Sequence, residues 1–407
     1  MSDARVTRPR FAERVGGIQG SAIDSSTSLL QSQTHDIVRM AMGSPSPEAV
    51  PSAEFADVAA ELFGAGGYEI FDYGPTEGES ELREVLLEFL ERGGGGVPDR
   101  DELLITSGGM QGLDLTCKLY VDPGDLVVVE GPTYTNGSDV IRAYGGVPLE
   151  VPTDEDGIDV EALVDLVGRR TPKMIYTIPN FQNPSGATLS AARRTALIEA
   201  AERWGALILE DDPYRELRFA GEDLPGLREL ADGAVRVVSV HTFSKILAPG
   251  LRVGWVSADA ETIARMVDAK QGLDTCTNVP MQQLVARFMA RGLLDAHIER
   301  LRPMYMERCE RMQAGLRRLF GDLGATWTSP DGGFFLWLEL PEEVDSEALF
   351  PIALAEGVAF IPGAAFSVDG AFGSAVRLAF SATAGERTDL GLARLRTAVD
   401  RFLAEPR

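Results

Sequence analysis

Lys245 stands in a string of residues that suits imine chemistry, Thr242-Phe243-Ser244-Lys245-Ile246-Leu247-Ala248-Pro249-Gly250-Leu251-Arg252-Val253-Gly254-Trp255. The lysine follows an apolar run, Val235–Val240, that is typical of a buried strand. Burial penalises a charged ammonium group and lowers its pKa, which an amine that attacks a carbonyl requires. Thr242, Ser244 and Arg252 add two hydroxyls and a positive charge, which together suit a phosphate. The alternative, a solvated lysine in a polar loop, is disfavoured by the string as a whole.

An acidic segment, Leu209-Glu210-Asp211-Asp212-Pro213-Tyr214, ends another apolar run, Ala206–Leu209. A carboxylate at the carboxyl end of a strand lies where α/β sheets bind their ligands. Asp211 is the preferred candidate for an acid that keeps a bound pyridine nitrogen protonated, and Tyr214 for a donor to an oxygen on the same ring. The alternative is that Asp211 or Asp212 caps a following helix.

Two turn-like segments after other apolar runs offer further polar groups. Pro179–Gly186 presents Asn183, whose amide can donate to a phenolate or carboxylate oxygen, although an Asn-Pro pair alone is more often only a turn. Thr106–Gly112 is glycine-rich and leads into a helix, so the free amides of Gly109 and Met110 can hold a phosphate.

Tyr134 and Arg377 complete the set of candidates. Tyr134 can stack on a flat ring, although an isolated tyrosine usually packs in a core. Arg377 lies in the apolar segment Val376–Ser381. An arginine cannot lose its charge in a protein interior and needs an anion, which a substrate α-carboxylate would supply through two hydrogen bonds. The alternative is a structural salt bridge with an internal acid.

The elements that must position these residues follow an alternating pattern. Six short apolar runs separated by helix-like stretches predict a mostly parallel central sheet with flanking helices: Leu103–Thr106, Leu126–Val129, Met174–Ile178, Ala206–Leu209, Val235–Val240 and Leu251–Val256. After Glu261 the chain becomes long helix. It then shows an α+β pattern of its own, strand-like at Gly333–Leu340 and Ala375–Phe380, with a final helix near Asp389–Leu403.

We therefore expect an N-terminal arm over residues 1–45, a large domain over 46–292 and a smaller C-terminal domain over 293–407. The arm ends in a turn, Met42–Pro47, in which Gly43 is a candidate substrate contact. Helix spacing at Glu79–Leu90 stops at a glycine run, 93–96. No Gly-Lys-Ser/Thr follows that run, so we interpret it as a connection rather than a phosphate loop.

Composition excludes several classes of function. Of the 407 residues, 44% are hydrophobic and 25% charged, as is ordinary for a globular enzyme. The formal net charge of −24 repels nucleic acid. Cys117, Cys276 and Cys309 are too scattered for a disulfide framework or a metal site, and the histidines form no metal motif. Residues 1–15 lack an apolar stretch, no apolar run reaches the length of a membrane span, and we expect a cytoplasmic protein.

A nucleophilic lysine, an acid for a ring nitrogen, phosphate-binding groups and a carboxylate-binding arginine together indicate a pyridoxal 5′-phosphate (PLP) enzyme with its Schiff base on Lys245. The same strings resemble those of fold-type I PLP enzymes, and within them the class I/II aminotransferases of the kynurenine/2-aminoadipate group. The resemblance extends from Ser21 to the C-terminus, and the string from Ser244 to Gly254 is its most specific part.

The resemblance implies a role for each candidate. Lys245 is the Schiff-base lysine and proton shuttle, and Asp211 pairs with the pyridinium. The remaining implied roles are contact of Tyr214 and Asn183 with the ring oxygen, stacking of Tyr134 on the ring, phosphate binding by Thr242, Ser244, Arg252, Gly109 and Met110, and substrate-carboxylate binding by Arg377. Tyr73 resembles the tyrosine that reaches the phosphate of a neighbouring subunit, which implies a homodimer with shared active sites.

Three departures from the family pattern bear on specificity. Gly109-Met110 replaces polar side chains that relatives often carry, and Thr242 replaces a common serine but keeps the hydroxyl. Asp24, in Ser21-Ala22-Ile23-Asp24, stands where dicarboxylate-accepting relatives tend to have an arginine. Because an aspartate repels a distal carboxylate, we expect a substrate with a neutral or cationic side chain. The alternative is that the arm is rearranged and Asp24 is only solvated or capping.

The expected reaction is a ping-pong transfer of the amino group from an α-amino acid to a 2-oxo acid. Two alternatives stay open. One is another PLP reaction on the same scaffold, such as decarboxylation, β-elimination or oxygen-dependent oxidation, since Lys245, Asp211 and Arg252 serve all of these. The other is an aminotransferase-like transcription regulator, which the short arm and the negative charge disfavour.

Overall fold

The computed structural model describes residues 10–12, 15–16, 20, 35–65, 67–93 and 96–404. Its strands in chain order are β1 (Val38–Arg39), β2 (Leu103–Thr106), β3 (Leu126–Gly131), β4 (Val147–Asp154), β5 (Gly157–Ile158), β6 (Met174–Thr177), β7 (Leu207–Asp211), β8 (Val237–Thr242), β9 (Gly254–Ser257), β10 (Thr326–Trp327), β11 (Phe335–Glu339), β12 (Val358–Ala359), β13 (Ile361–Pro362) and β14 (Ala375–Ala379).

The α-helices in the described ranges are α1 (Ser52–Ala65), α2 (Ser80–Arg92), α3 (Gly109–Tyr120), α4 (Thr135–Ala143), α5 (Val160–Val167), α6 (Ala191–Trp204), α7 (Leu227–Ala231), α8 (Ala260–Gln271), α9 (Val279–Ala290), α10 (Leu293–Phe320), α11 (Ser346–Ala355) and α12 (Glu386–Ala404). The predicted helices near Glu79–Leu90 and Asp389–Leu403 correspond to α2 and α12.

The large sheet has the strand order β2-β9-β8-β7-β6-β3-β4-β5. Its centre, from β8 to β4, is parallel, while β9 pairs antiparallel with both β2 and β8. Every residue of β2, β6 and β7 is buried, because helices cover both faces of this sheet. One face packs on α3 and α8 and the other on α5, α6 and α7. The predicted mostly parallel sheet with flanking helices is confirmed.

A second, antiparallel sheet has the order β10-β11-β14-β13 and packs against α10, α11 and α12. The short strand β1 pairs in parallel with β12, so the end of the predicted arm packs on this smaller unit. The domain boundaries at residues 45 and 292 stay predictions. Asp24, one of the candidate site residues, lies outside the described residues.

The sequence pattern does not predict β4, and it predicts the start of β9 too early. β4 contains Pro148 and Pro152, which have no N–H to give to a ladder and so argue against a strand. It forms nonetheless near the edge of the sheet, where most of its residues are partly exposed. β9 was expected from Leu251, but Pro249–Leu251 forms a 3₁₀ turn and Arg252 has a φ of 50°, so strand pairing starts only at Gly254.

Candidate active site

The candidate site is a cavity of about 330 Å³ at the carboxyl ends of the parallel strands. This edge is where the loops after β3, β6, β7 and β8 converge, and it is the usual ligand site of an open α/β sheet. The side chains and main-chain groups that line it are Met42, Gly43, Ser44, Gly109, Met110, Leu113, Tyr134, Asn136, Ile178, Asn183, Asp211, Pro213, Tyr214, Thr242, Ser244, Lys245, Pro249, Arg252, Phe335 and Arg377.

Lys245 follows β8 and places its amine in this cavity. Its Nζ donates to the carbonyl oxygen of Gly43 at 2.7 Å and lies 6.0 Å from the ring centre of Tyr214. Burial, followed by the positive charge of Arg377, lowers the pKa of the Lys245 amine from its ordinary value of 10.5 to about 8, against the opposing effect of Asp211. A neutral, nucleophilic amine is therefore accessible near neutral pH.

Asp211 ends β7 and is 8% exposed. Its Oδ2 accepts a hydrogen bond from the Tyr176 hydroxyl at 2.9 Å. Burial raises the pKa of Asp211 to about 7, while the Tyr176 hydroxyl and the charge of Lys245 work in the opposite direction. A buried carboxylate of this kind is stabilised by a cationic N–H donor, which a protonated pyridine nitrogen would supply.

The neighbouring Asp212 has a different role. Its Oδ2 accepts from the amide of Asn180 at 2.8 Å, and Asn180 in turn accepts from the buried guanidinium of Arg194 at 2.7 Å. Asp212 caps no helix: the 3₁₀ turn after it, Arg215–Leu217, has no side-chain cap. The structure thus separates the two adjacent acids, placing Asp211 in the cavity and Asp212 in a structural chain behind it.

The junction between β2 and α3 forms an anion cradle together with the loop after β8. The first N–H groups of a helix have no acceptor within it, and here they belong to Gly109 and Met110. Thr242 donates to the Ser244 hydroxyl at 2.9 Å. Arg252 lies over Gly108, which has a φ of 80°; an added Cβ would be strained there and would come within 2.4 Å of the arginine Nη2, displacing the guanidinium. Two hydroxyls, a guanidinium and helix amides therefore meet at one place.

Arg377, on β14, is 1% exposed and forms the cationic end of the cavity. Its Nη1 donates to Asn183 Oδ1 and its Nη2 to the Ala41 carbonyl, each at 2.7 Å, and Phe335 and Phe366 flank the guanidinium. Burial lowers the pKa of Arg377 to about 10. No Asp or Glu of the described chain forms a salt bridge with it, and its Nε is buried without a partner there. A structural salt bridge is thus disfavoured, and a carboxylate ligand fits.

Glu130, at the end of β3, holds the loop that carries Asn183. Its carboxylate accepts from the Thr177 hydroxyl at 2.5 Å, from the Ile178 amide at 3.2 Å and from the Gln182 amide at 3.1 Å. Burial raises the pKa of Glu130 to about 7, against the effect of these three donors. The acid thereby joins the ends of β3 and β6 to the loop at the cavity wall.

The remaining predicted residues fall into two groups. Tyr134, Asn183 and Tyr214 line the cavity, and Gly43 contributes its carbonyl oxygen. Tyr73 lies away from the cavity lining and is 82% exposed.

Sequence reasoning missed Tyr176, which holds Asp211, and the lining residues Met42, Asn136 and Phe335. Tyr176 had one available signal, since a phenolic hydroxyl inside an apolar strand needs a hydrogen-bond partner. Met42 and Phe335 carry no such signal, because an apolar residue that lines a ligand looks like one that lines a core.

These residues fit PLP. The cavity holds a lysine amine with a lowered pKa, a buried carboxylate whose only described donor is a tyrosine, and an anion cradle at a helix start. Those three features match the aldehyde, the pyridine nitrogen and the phosphate of that cofactor. Within the described residues, no three His, Cys, Asp or Glu side chains form a group that could hold a metal ion. No helix in the same ranges is long and apolar enough to cross a membrane.

Comparison with protein families finds a match to aminotransferase class I and II over residues 39–395. The aromatic-amino-acid aminotransferase 1 of Thermococcus litoralis is 34% identical over 391 residues, which cover 95% of this chain and 93% of that protein.

Solved structures give the same result. The α-aminoadipate aminotransferase LysN of Thermus thermophilus, complexed with N-(5′-phosphopyridoxyl)-L-leucine, superposes with a TM-score of 0.89 at 37% identity, covering 97% of this chain and 98% of that one. The kynurenine aminotransferase of Pyrococcus horikoshii, in complex with PMP, superposes with a TM-score of 0.90 at 34% identity, again covering 97% and 98%.

Proposed function

This chain belongs to the family of class I and II aminotransferases, and we propose that Lys245, Asp211 and Arg377 are the residues with which it moves an amino group. It is a PLP-dependent amino-acid aminotransferase of fold type I. The observation that carries the residue assignment is that the amine, the buried carboxylate and the guanidinium line one cavity.

The cofactor would be held at its two ends. Asp211 would accept a hydrogen bond from the pyridine nitrogen, and Tyr176 keeps that carboxylate in place. At the other end, the amides of Gly109 and Met110 with Thr242, Ser244 and Arg252 would bind the phosphate. Tyr214 and Asn183 would donate to the ring oxygen, and Tyr134 would stack on the ring. When bound, PLP supplies a ring that withdraws electrons from the substrate α-carbon.

Lys245 would take the proton from the α-carbon and return it. A pKa of about 8 suits this task, because a general base works best when its pKa is near the working pH. Arg377 would fix the α-carboxylate and so place the α-proton within reach of the amine. Release of the first 2-oxo acid and binding of a second one would give ping-pong kinetics.

We propose that the substrate side chain is neutral or cationic. The described residues that line the cavity include three cations, Lys245, Arg252 and Arg377, and each already has a role. No further lining cation of the described chain is available for a distal carboxylate, and Asp24 would repel one. Replacing Asp24 by arginine is expected to raise kcat/KM for 2-aminoadipate relative to leucine. An unchanged substrate profile would remove Asp24 from the explanation.

We also propose a cytoplasmic homodimer with shared active sites. Phe63, Phe71, Tyr68 and Tyr73 are exposed on one segment, and the rings of Phe63 and Phe71 stack 6.0 Å apart, which leaves an apolar patch open. In sedimentation velocity, Phe71→Asp is expected to shift the protein from dimer to monomer, whereas Leu403→Asp, another exposed position, is not. The described thiols are all free, which suits a reducing compartment.

A single-turnover experiment tests the reaction. Holoenzyme mixed with an amino acid, without any 2-oxo acid, is expected to release one 2-oxo acid per site and then stop. Adding a different 2-oxo acid should restart turnover. Lys245→Ala should bind the cofactor but release no product, and full activity of that variant would refute the assignment. Continuous release of ammonia or carbon dioxide without an acceptor would instead indicate another PLP reaction.

A further inference from the structure

A polar cluster lies beneath the anion cradle and consists of Ser107, Gln111, Lys270, Asp274 and Thr277. Its centre is an ion pair: the Lys270 amine, fully buried near the end of α8, donates to Asp274 Oδ1 at 2.7 Å. Ser107 also contacts the Thr277 hydroxyl at 3.5 Å. None of these five residues lines the cavity, so the cluster acts only through its neighbours.

The cluster holds Ser107 through its hydroxyl and its main-chain N–H. Asp274 Oδ2 accepts from the Ser107 hydroxyl at 2.7 Å and from the Gln111 side chain at 2.8 Å. Gln111 in turn accepts the main-chain N–H of Ser107 at 2.8 Å. The carbonyl of the same residue accepts from Arg252 Nη2 at 3.1 Å. Asp274 thus contacts Ser107, which accepts the hydrogen bond from Arg252 and lies two residues before the first residue of α3.

Two features indicate that this pair serves more than stability. An ion pair that is largely buried is usually no more stabilising than apolar residues of the same size, so stability alone gives no reason to place it here. In addition, Thr275, the residue after Asp274, has a φ of 64°. A β-branched residue rarely adopts a positive φ, and such strain concentrates where a group must be held in place.

The two charges must also act together. Although burial raises the pKa of Asp274, hydrogen bonds from Lys270, Ser107 and Gln111 lower it below its ordinary value overall, so the acid is ionised near neutral pH. An unpaired carboxylate behind a phosphate site would repel the phosphate. The Lys270 ammonium removes that repulsion while the carboxylate keeps its capacity to accept hydrogen bonds.

We propose that the Asp274–Lys270 pair is a positioning group for the cofactor phosphate, fixing Ser107–Gly108 and thereby Arg252 and the first amides of α3. This rests on the proposed assignment of those groups to the phosphate. The pair acts on the phosphate end alone, because its hydrogen bonds lead to the cradle and to none of the residues at the Lys245 or Asp211 end.

The test compares the affinities of the apoprotein for PLP and for pyridoxal, which lacks the phosphate. In the variant Lys270→Met/Asp274→Leu an apolar pair of similar volume replaces the ion pair, so no charge is left buried without a partner. The Ser107 and Gln111 donors lose their acceptor, so the melting temperature should fall by no more than a few degrees. Its affinity for PLP should nevertheless fall about tenfold. Loss of an outer-shell contact at a metal site lowers affinity about 10- to 100-fold, and the expected loss lies at the lower end of that range. Its affinity for pyridoxal should not change.

The matched control is Arg265→Gln/Asp268→Asn, which removes an exposed ion pair from the same helix and should leave both affinities unchanged. Ser107→Ala is a second variant that keeps the ion pair intact and should lower PLP affinity severalfold without affecting pyridoxal. Equal losses for PLP and pyridoxal, or no loss for PLP, would overturn the proposal. A wild-type apoprotein that binds PLP no better than pyridoxal would overturn the phosphate-site assignment as well.

Discussion

Replacing Lys245 by methionine is expected to stabilise the apoprotein while it abolishes turnover. The amine is held in a partly buried site, and burial, followed by the charge of Arg377, lowers its pKa from 10.5 to about 8. At about 1.4 kcal/mol per pKa unit, this fall means that the charged amine costs the folded state about 3 kcal/mol. Methionine fills similar space without the charge, and an active site of this kind commonly trades stability for function.

The sign of the effect follows from proton binding. Below pH 8 the amine is protonated in both the folded and the unfolded chain, so the full cost is present. Between pH 8 and 10.5 the folded chain loses its proton first, so the unfolded chain binds more protons and stability rises with pH. The difference between wild type and variant should therefore be largest at neutral pH and close as the pH approaches 10.5.

Urea unfolding of the two apoproteins at pH 7 and pH 10, at one fixed protein concentration, measures this difference. Loss of the hydrogen bond from Nζ to the Gly43 carbonyl offsets about 1 kcal/mol of this gain. We therefore expect the unfolding free energy of the variant to exceed that of the wild type by about 1 to 2 kcal/mol at pH 7. Lys118→Met, at an exposed position on α3, is the control and should show no such gain. A less stable Lys245→Met at pH 7, or a difference that does not shrink at pH 10, would refute the reasoning.

Four further substitutions separate the roles assigned to buried charges. Arg377→Lys should lower kcat/KM for the amino acid about 10- to 100-fold, because an ammonium cannot make the two-point contact, and leave PLP affinity unchanged in titrations. Asp211→Asn should lower kcat about 100- to 1,000-fold, whereas Asp212→Asn should lower the unfolding free energy and leave kcat within about threefold. Glu130→Gln should lower the unfolding free energy in urea by about 1 to 3 kcal/mol, because the new side-chain NH2 would face the donors that Glu130 now accepts from. A variant as stable as the wild type would contradict the acceptor role assigned to Glu130.

The large sheet could be predicted because its strands are short apolar runs buried on both faces. Met174–Ile178 and Leu103–Thr106 are found almost as the sequence places them. β4 could not be predicted because its two prolines weaken the local strand pattern. It becomes a strand only through its hydrogen-bonded pairing with β3 and β5. Tertiary pairing of this kind overrides local propensity and cannot be seen in one segment.

The candidate site could be predicted where a polar residue follows a strand, as Asp211 and Lys245 do. It could not be predicted where the role of a residue depends on a partner that is distant in sequence and that only the fold brings into contact with it. Tyr176 looks like one more apolar strand residue until its hydroxyl is found on Asp211. Lys270 and Asp274 are four residues apart at the end of a helix, and nothing local indicates that Ser107 lies across from them.

The hydrogen-bond acceptors of two of the cavity's cations, Lys245 and Arg377, support a site built for an anion. Lys245 donates to the carbonyl of Gly43, and Arg377 donates to the carbonyl of Ala41 and the side chain of Asn183. Each of these acceptors is neutral, so it satisfies hydrogen bonds and leaves the positive charge uncompensated. An aspartate at the same place would have cancelled the charge and raised the pKa of the amine. Neutral acceptors, two from the main chain and one from a side-chain amide, therefore keep a nucleophilic lysine and an arginine that can bind a carboxylate in one cavity.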